Sequence, residues 1–98
     1  MPDQTITDGS VEKIINRQMA YRITSDDDPT EAYIIHTDSK IRIGTDDEQG
    51  QIRHGLPIPA NTTVWDFDPK GHEIYAYADG ANATVSVQVQ KFSFGGST

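Results

Sequence analysis

Residues 31–44, EAYIIHTDSKIRIG, place two short strand-like runs on either side of a polar triplet at 37–39. In the second run, isoleucines at 41 and 43 alternate with Lys40 and Arg42. Alternation with a period of two is typical of a strand that buries one face. The first run, Tyr-Ile-Ile-His at 33–36, is also extended in character. We therefore predict a β-hairpin whose turn lies at 37–39.

Most of the remaining chain repeats this kind of pattern. Strand-like runs occur at 19–24, 61–68, 73–78 and 84–91, and the last, with three alternating valines, is the most regular. Turn-forming segments separate the runs at intervals of about 8 to 12 residues, as in sandwiches and barrels. No stretch has the period and length of a substantial helix. The sequence predicts an all-β fold, a small antiparallel β-sandwich or jelly-roll-like barrel of seven to eight short strands.

The chain divides into three predicted parts. Residues 1–18 are expected to form an N-terminal arm, residues 19–91 the β-sandwich domain, and residues 92–98 a flexible C-terminal tail. Within the arm, the run 11–17 fits a short helix or an irregular edge strand, and its shortness favours an extended arm or edge strand. Pro57 and Pro59 lack backbone donors and predict an edge segment or an extended loop.

The aromatic residues supply the candidate core and contact positions. Alternation over 61–68 places Trp65 and Phe67 on one face, and we expect Trp65, the only tryptophan, to anchor the core. The alternative is that Trp65 stacks on a ligand. In the run 73–78, Tyr75 and Tyr77 alternate with smaller apolar residues, so both faces of this strand are apolar enough to be covered.

Composition excludes several classes of function. The 98 residues carry 15 acidic and 8 basic side chains, a net charge of −7, which repels phosphate backbones and anionic lipid. We therefore expect no nucleic-acid or membrane partner. The excess of aspartate fits either a halophilic source or an ordinary acidic protein. The absence of cysteine excludes disulfides, thiolate zinc sites and cysteine nucleophiles. The first residues lack the features of a secretory signal, which predicts synthesis in the cytoplasm.

The hexapeptide at 66–71, DFDPKG, resembles the beginning of a calcium-binding loop. Lys70 stands where the third oxygen ligand is needed, and Tyr77 stands where the bidentate glutamate is needed. A positive charge opposes binding of a dication, so an ordinary turn after a strand is the preferred interpretation. Acidic runs at 26–28 and 46–48 could gather a cation if their loops meet, although solvated loop tips are the simpler interpretation.

The remaining candidate groups give no catalytic site. His36, His54 and His72 lack the short spacing typical of metal ligands. The serines lack the glycine frame of a nucleophile elbow. The sequence thus predicts no catalytic residue, no metal site and no cofactor.

One resemblance follows from the order of the elements. The runs 33–44, 55–58, 74–80 and 83–87 give a strand, a polar turn, a strand ending in Ile-Gly, a Gly- and Pro-bearing stretch, an aromatic-Ala strand and a Val-x-Val strand. This order resembles small β-sandwich (jelly-roll-like) structural proteins of tailed viruses, of the capsid decoration, turret, head-fibre or head–tail type. The chain departs from the pattern in its acidic stretch at 26–29 and in its N-terminal arm.

The resemblance implies a non-enzymatic structural protein of a virion, made in the host cytoplasm and possessing no catalytic residues to transfer. It implies a homo-oligomer, trimer to hexamer, docked on a major capsid protein or another virion protein. The acidity would fit a virus of a haloarchaeal host. We expect Leu56, Ile58, Tyr75 and Tyr77 to make the contacts between subunits or with a partner. The alternative function is a carbohydrate- or receptor-binding module with Trp65 on its stacking surface.

Overall fold

The computed structural model describes residues 3–17, 32–45 and 55–90. Eight strands lie in these ranges, and all of their pairings are antiparallel. The strands are β1 (Gln4–Ile6), β2 (Val11–Ile15), β3 (Ala32–Thr37), β4 (Ile41–Gly44), β5 (Leu56–Ile58), β6 (Thr62–Phe67), β7 (Ile74–Ala78) and β8 (Ala83–Gln90).

The strands form two four-stranded sheets with the topology of a jelly roll. Sheet 1 has the order β1-β8-β3-β6, and sheet 2 has the order β2-β7-β4-β5. Among consecutive strands, only β4 and β5 are neighbours in the same sheet. Every other connection passes from one sheet to the other, which is the double Greek-key arrangement of jelly rolls. The predicted all-β sandwich is confirmed.

The core lies between the two sheets and follows directly from alternation along the strands. On β3 the pattern alternates half-buried and buried positions, with Tyr33, Ile35 and Thr37 facing inward. On β7 the inward positions are mostly alanines, which leave room for isoleucines from the neighbouring strands. The buried apolar side chains are Ile6, Ile14, Ile15, Tyr33, Ile35, Ile41, Ile43, Ile58, Ile74, Ala76, Ala78, Ala83, Val85 and Val87, with Val64 and Phe67 packed against them.

The predicted hairpin at 31–44 is wrong, although both of its strands exist. β3 pairs with β6 and β8 in sheet 1, whereas β4 pairs with β5 and β7 in sheet 2. Residues 38–40 are therefore a crossover between sheets. A short polar connection between two alternating strands carries the same local signal in either case, since both arrangements bury one face of each strand.

Hydrogen bonds to the β7–β8 connection and to the start of β8 hold this crossover in place. The Asp38 amide donates to the Thr84 carbonyl at 3.2 Å, and the Thr84 amide donates to Asp38 Oδ1 at 2.8 Å. The Asp79 amide donates to the Lys40 carbonyl at 3.2 Å. Inside the crossover, the buried Thr37 hydroxyl donates to the Ser39 carbonyl at 2.6 Å. Each bond satisfies a polar group that the interrupted ladder would otherwise leave unpaired.

Four crossovers, at 7–10, 38–40, 59–61 and 79–82, lie at the same end of the sandwich, the crossover end. The register requires this, because the pairs Ile6↔Ala83, Thr37↔Val85 and Ile41↔Ala78 bring the adjoining strand ends together. Asp8 and Asn82 join two of the crossovers: the Asp8 amide donates to Asn82 Oδ1 at 2.8 Å, and Asp8 Oδ1 accepts from the Gly80 amide at 2.9 Å.

The expected boundary of the sandwich at residue 19 requires correction. β1 pairs with β8 and β2 pairs with β7, so the sandwich begins at Gln4 and not after an arm of 18 residues. The edge-strand interpretation of 11–17 agrees with β2, which is the outer strand of sheet 2 and contains an irregularity between Lys13 and Ile15. The predicted strand at 19–24 and the predicted tail at 92–98 lie outside the described residues.

Two consecutive isoleucines on β3 test the assigned register. Ile35 is fully buried, whereas Ile34 lies on the outer face of sheet 1 and is only partly buried. We expect Ile35→Ala to lower the free energy of unfolding by about 2–5 kcal/mol and Ile34→Ala to lower it by about 1 kcal/mol. Urea denaturation of both variants measures this difference, and equal or reversed losses would contradict the register.

Asp38 predicts how acid weakens the crossover end. The hydrogen bond from the Thr84 amide, with a further contribution from Ser39, lowers the pKa of Asp38 below its ordinary value of 3.8. A lowered folded-state pKa adds stability above the unfolded pKa, and this stability is lost as the pH falls through the folded value. Asp38→Asn should therefore flatten the decline of the urea midpoint between about pH 5 and pH 2. An unchanged slope in the variant would exclude this contribution of the carboxylate.

Candidate binding surfaces

Leu56 and Ile58 are both predicted contact residues, but one is exposed and the other is buried. Ile58 is 3% exposed and pairs with Ile41, so its side chain belongs to this chain's own core and the prediction of a contact there is wrong. Leu56 is 65% exposed at the beginning of β5. β5 is an outer strand of sheet 2 with Pro57 at its centre, in agreement with the edge position that the prolines predicted.

Trp65 is exposed, which overturns its expected role as the core anchor. Its side chain is 60% exposed. The cause is a bulge: Tyr33 pairs with Phe67 and Ile35 pairs with Val64, so two residues of β6 lie opposite one residue of β3. The extra residue breaks the period of two, so that Val64 and Phe67 both pack on the core. Asp66 adopts the left-handed conformation within the bulge, with φ of 58°.

Leu56 and Trp65 together define the β5–β6 side of the molecule. β5 and β6 are the outer strands of the two sheets at the same side of the sandwich, joined by the three-residue crossover at 59–61. Single exposed apolar residues are common on protein surfaces. Here the two most exposed large apolar side chains of the described residues lie on adjoining edge strands. Such edges are where a second chain can be added to a β fold.

The outer face of sheet 1 next to Trp65 carries mainly small polar side chains. The register places Ile34 opposite Gln88, and His36 opposite both Ser86 and Thr63. His36 Nδ1 lies 2.9 Å from Thr63 Oγ1. An exposed indole beside hydroxyl, amide and imidazole groups offers both a stacking surface and hydrogen-bonding partners for a polar ligand.

The outer face of sheet 2 carries Tyr75 and Tyr77, both half-buried. The Tyr75 hydroxyl donates to Glu73 Oε1 at 2.8 Å. Beside Tyr77, Arg42 donates to Asp79 Oδ2 at 3.2 Å. The two tyrosines thus present aromatic surface between charged groups that already have partners within the chain.

A cationic depression lies at the end of the sandwich opposite the crossover end. Its walls are formed by Lys13, Asn16 and Arg17 on one side and by residues 70–73 on the other, around a volume of about 770 Å³. The pair Ile15↔Ile74 explains how these segments meet, because it brings the residues after β2 beside the residues before β7.

Glu73 organises the charges of this depression. Its Oε2 lies 3.5 Å from Lys13 Nζ, and its Oε1 accepts the Tyr75 hydroxyl. The hydrogen bond from Tyr75, together with the charges of Lys13 and Arg17, lowers the pKa of Glu73 below its ordinary value of 4.5. The carboxylate is therefore ionised at neutral pH and draws the two cations toward one place.

The opposite wall is a tight turn at 69–72. Lys70 and Gly71 both adopt positive φ, 53° and 83°, and the His72 amide donates to the Pro69 carbonyl at 3.0 Å, as in a type I′ turn. Asp68 Oδ1 accepts from the Lys70 amide at 2.9 Å. The preferred interpretation of DFDPKG as an ordinary turn after a strand agrees with this geometry, in which Asp68 serves the turn.

The described ranges, 3–17, 32–45 and 55–90, contain no group of three or more histidine or acidic side chains placed to hold a metal ion. The acidic runs at 26–28 and 46–48, and His54, lie outside these ranges. None of the described segments is a helix with the length and apolar character needed to cross a membrane.

Comparison of the chain with protein-family models, with curated proteins and with solved structures found no match.

Proposed function

We propose that the chain is a non-enzymatic structural subunit of a virion, which associates with copies of itself and docks on a viral shell. The observation that carries the self-association is the exposure of Leu56 and Trp65 on the β5–β6 side. Burial of a large apolar side chain contributes about 1.5–3 kcal/mol, so covering both residues in each subunit would favour an assembly.

A ring requires two different surface patches on each subunit. A contact between two different patches of identical subunits generates a closed ring when the rotation between neighbours closes. The β5–β6 side of one copy and the face bearing Tyr75 and Tyr77 of the next are two such patches, since they lie on different surfaces of the sandwich. We take this contact as the basis of a trimer to hexamer.

The assignment to a virion draws on two further supports. Jelly rolls are used by viral capsid proteins, and also by lectins and cupins, so the fold by itself selects no function. The order of short elements in the sequence favours the viral group, and the net charge of −7 keeps a repeated shell subunit soluble before assembly.

Mass measurement by light scattering tests the assembly. The wild-type chain should form a closed oligomer of three to six copies. Leu56→Asp combined with Trp65→Asp should give a monomer, because two charges would be desolvated at every contact between the β5–β6 side of one copy and the next copy.

Thr5→Asp is the control for an added surface charge, since Thr5 is exposed on β1 at the opposite side of sheet 1. This variant should remain an oligomer. A wild-type chain that is monomeric at its highest soluble concentration, or an oligomer that survives the double substitution, would overturn the proposed contact.

The exposed indole favours a second candidate, a carbohydrate-binding module. Aromatic surface next to small polar groups suits the apolar face and the hydroxyls of a sugar ring. If this function holds, neutral oligosaccharides should shift the emission of Trp65, the only tryptophan, in a saturable way. His36→Ala should weaken this binding without unfolding the chain. A glycan panel that leaves the emission unchanged would exclude the candidate.

A further inference from the structure

We propose that the cationic depression formed by Lys13, Arg17 and residues 70–73 binds a tetrahedral oxyanion, the group shared by phosphate and sulfate. This inference does not rest on the proposed function. It concerns a site at the opposite end of the sandwich from the crossovers, on strands other than those of the β5–β6 side.

The distribution of charge is the first argument. The chain has a net charge of −7, yet three of the five lysines and arginines in the described ranges line this one depression. The other two, Lys40 and Arg42, both lie against Asp79, at 3.7 and 3.2 Å. Both of these described cations outside the depression thus lie against the single carboxylate of Asp79.

The net charge of the side chains around the depression is positive. Lys13, Arg17 and Lys70 give three positive charges, and Glu73 with Asp68 gives two negative charges, which leaves one positive charge. Both ion pairs are long, 3.5 Å for Lys13 with Glu73 and 3.9 Å for Lys70 with Asp68. Long, solvent-exposed pairs are weak, so an incoming oxyanion can compete for these ammonium groups.

The geometry of the walls is the second argument. Arg17 and Lys13 approach from the end of β2, and the turn at 69–72 brings Lys70 and His72 from the facing side. An oxyanion between the walls would be reached from both sides, and a guanidinium can donate two parallel hydrogen bonds to it. Gly71, at the tip of the turn, adds no side chain that would obstruct the entrance.

NMR titration of the ¹⁵N-labelled full chain with inorganic phosphate, and separately with sulfate, tests the proposal at constant ionic strength balanced with chloride. We expect saturable shifts of amides at 13–17 and 70–73 with either anion. Binding of phosphate alone would narrow the ligand to a phosphate group, and binding of sulfate alone to a sulfate group. Shifts no larger than those caused by chloride would overturn the proposal.

Charge-removing variants supply the control within the titration. Lys70→Gln and Arg17→Gln should each weaken binding about two- to fivefold, as expected for exposed charge pairs. Lys40→Gln removes the same charge outside the depression and should leave the dissociation constant unchanged. If Lys40→Gln weakens binding as much as Lys70→Gln, the anion is attracted by overall charge and the proposed site is wrong.

Two glutamate variants test whether removal of a negative charge tightens binding of the oxyanion. Glu73→Gln keeps an acceptor for the Tyr75 hydroxyl but releases Lys13 and Arg17, so it should tighten binding. Glu12→Gln removes the same charge from the residue next to Lys13 on β2. Glu12 pairs with the inward Ala76, whereas Lys13 pairs with the outward Tyr75. Glu12→Gln should have the smaller effect. Equal tightening in both variants would contradict a local site.

Discussion

The jelly roll depends on satisfying the backbone where the chain passes between sheets. At each crossover, the amides and carbonyls leave a sheet ladder and lose their regular partners. In this molecule the side chains of Asp8 and Asn82 accept hydrogen bonds from amides of neighbouring crossovers, and Asp38 accepts one from the Thr84 amide at the start of β8. The crossovers are therefore bonded to one another as well as to the strands. The strand register brings the connections side by side, and these bonds pair the polar groups that the crossovers take out of the ladders.

The alternation of apolar and polar residues predicted the strands well where no bulge interrupts the strand. β4, β7 and β8 were predicted from their period of two, β3 was predicted as an extended run beside β4, and the inward residues of these strands form most of the core. Pairing could not be predicted in the same way. The polar triplet at 37–39 is compatible with a hairpin, and long-range contacts, such as those between Asp38 and Thr84, 46 residues away, accompany its role as a crossover. The distinction lies in tertiary hydrogen bonds and leaves no local trace.

The errors at Trp65 and Ile58 have different causes. A bulge at 65–66 shifts the phase of β6 by one residue, and neither residue there is a glycine that would signal a left-handed conformation. Ile58 is buried because it pairs with the buried Ile41 of β4. Leu56, two residues earlier on β5, is exposed. The cationic depression was missed because its walls come from segments that are 60 residues apart at Lys13 and Glu73. One signal was available: Lys70, which spoils a calcium loop, is the charge that an anion requires.

The topology also determines when the strands can pair during synthesis. β1 forms its ladder with β8, so Gln4 must wait for Val85 to leave the ribosome. At a translation rate of about 5–20 residues per second, this delay is about 4–16 s. Among the eight described strands, only β4 and β5 are sequence neighbours within one sheet, so these strands offer a single local pairing in the meantime. High contact order of this kind slows folding, and a net charge of −7 favours repulsion between nascent chains.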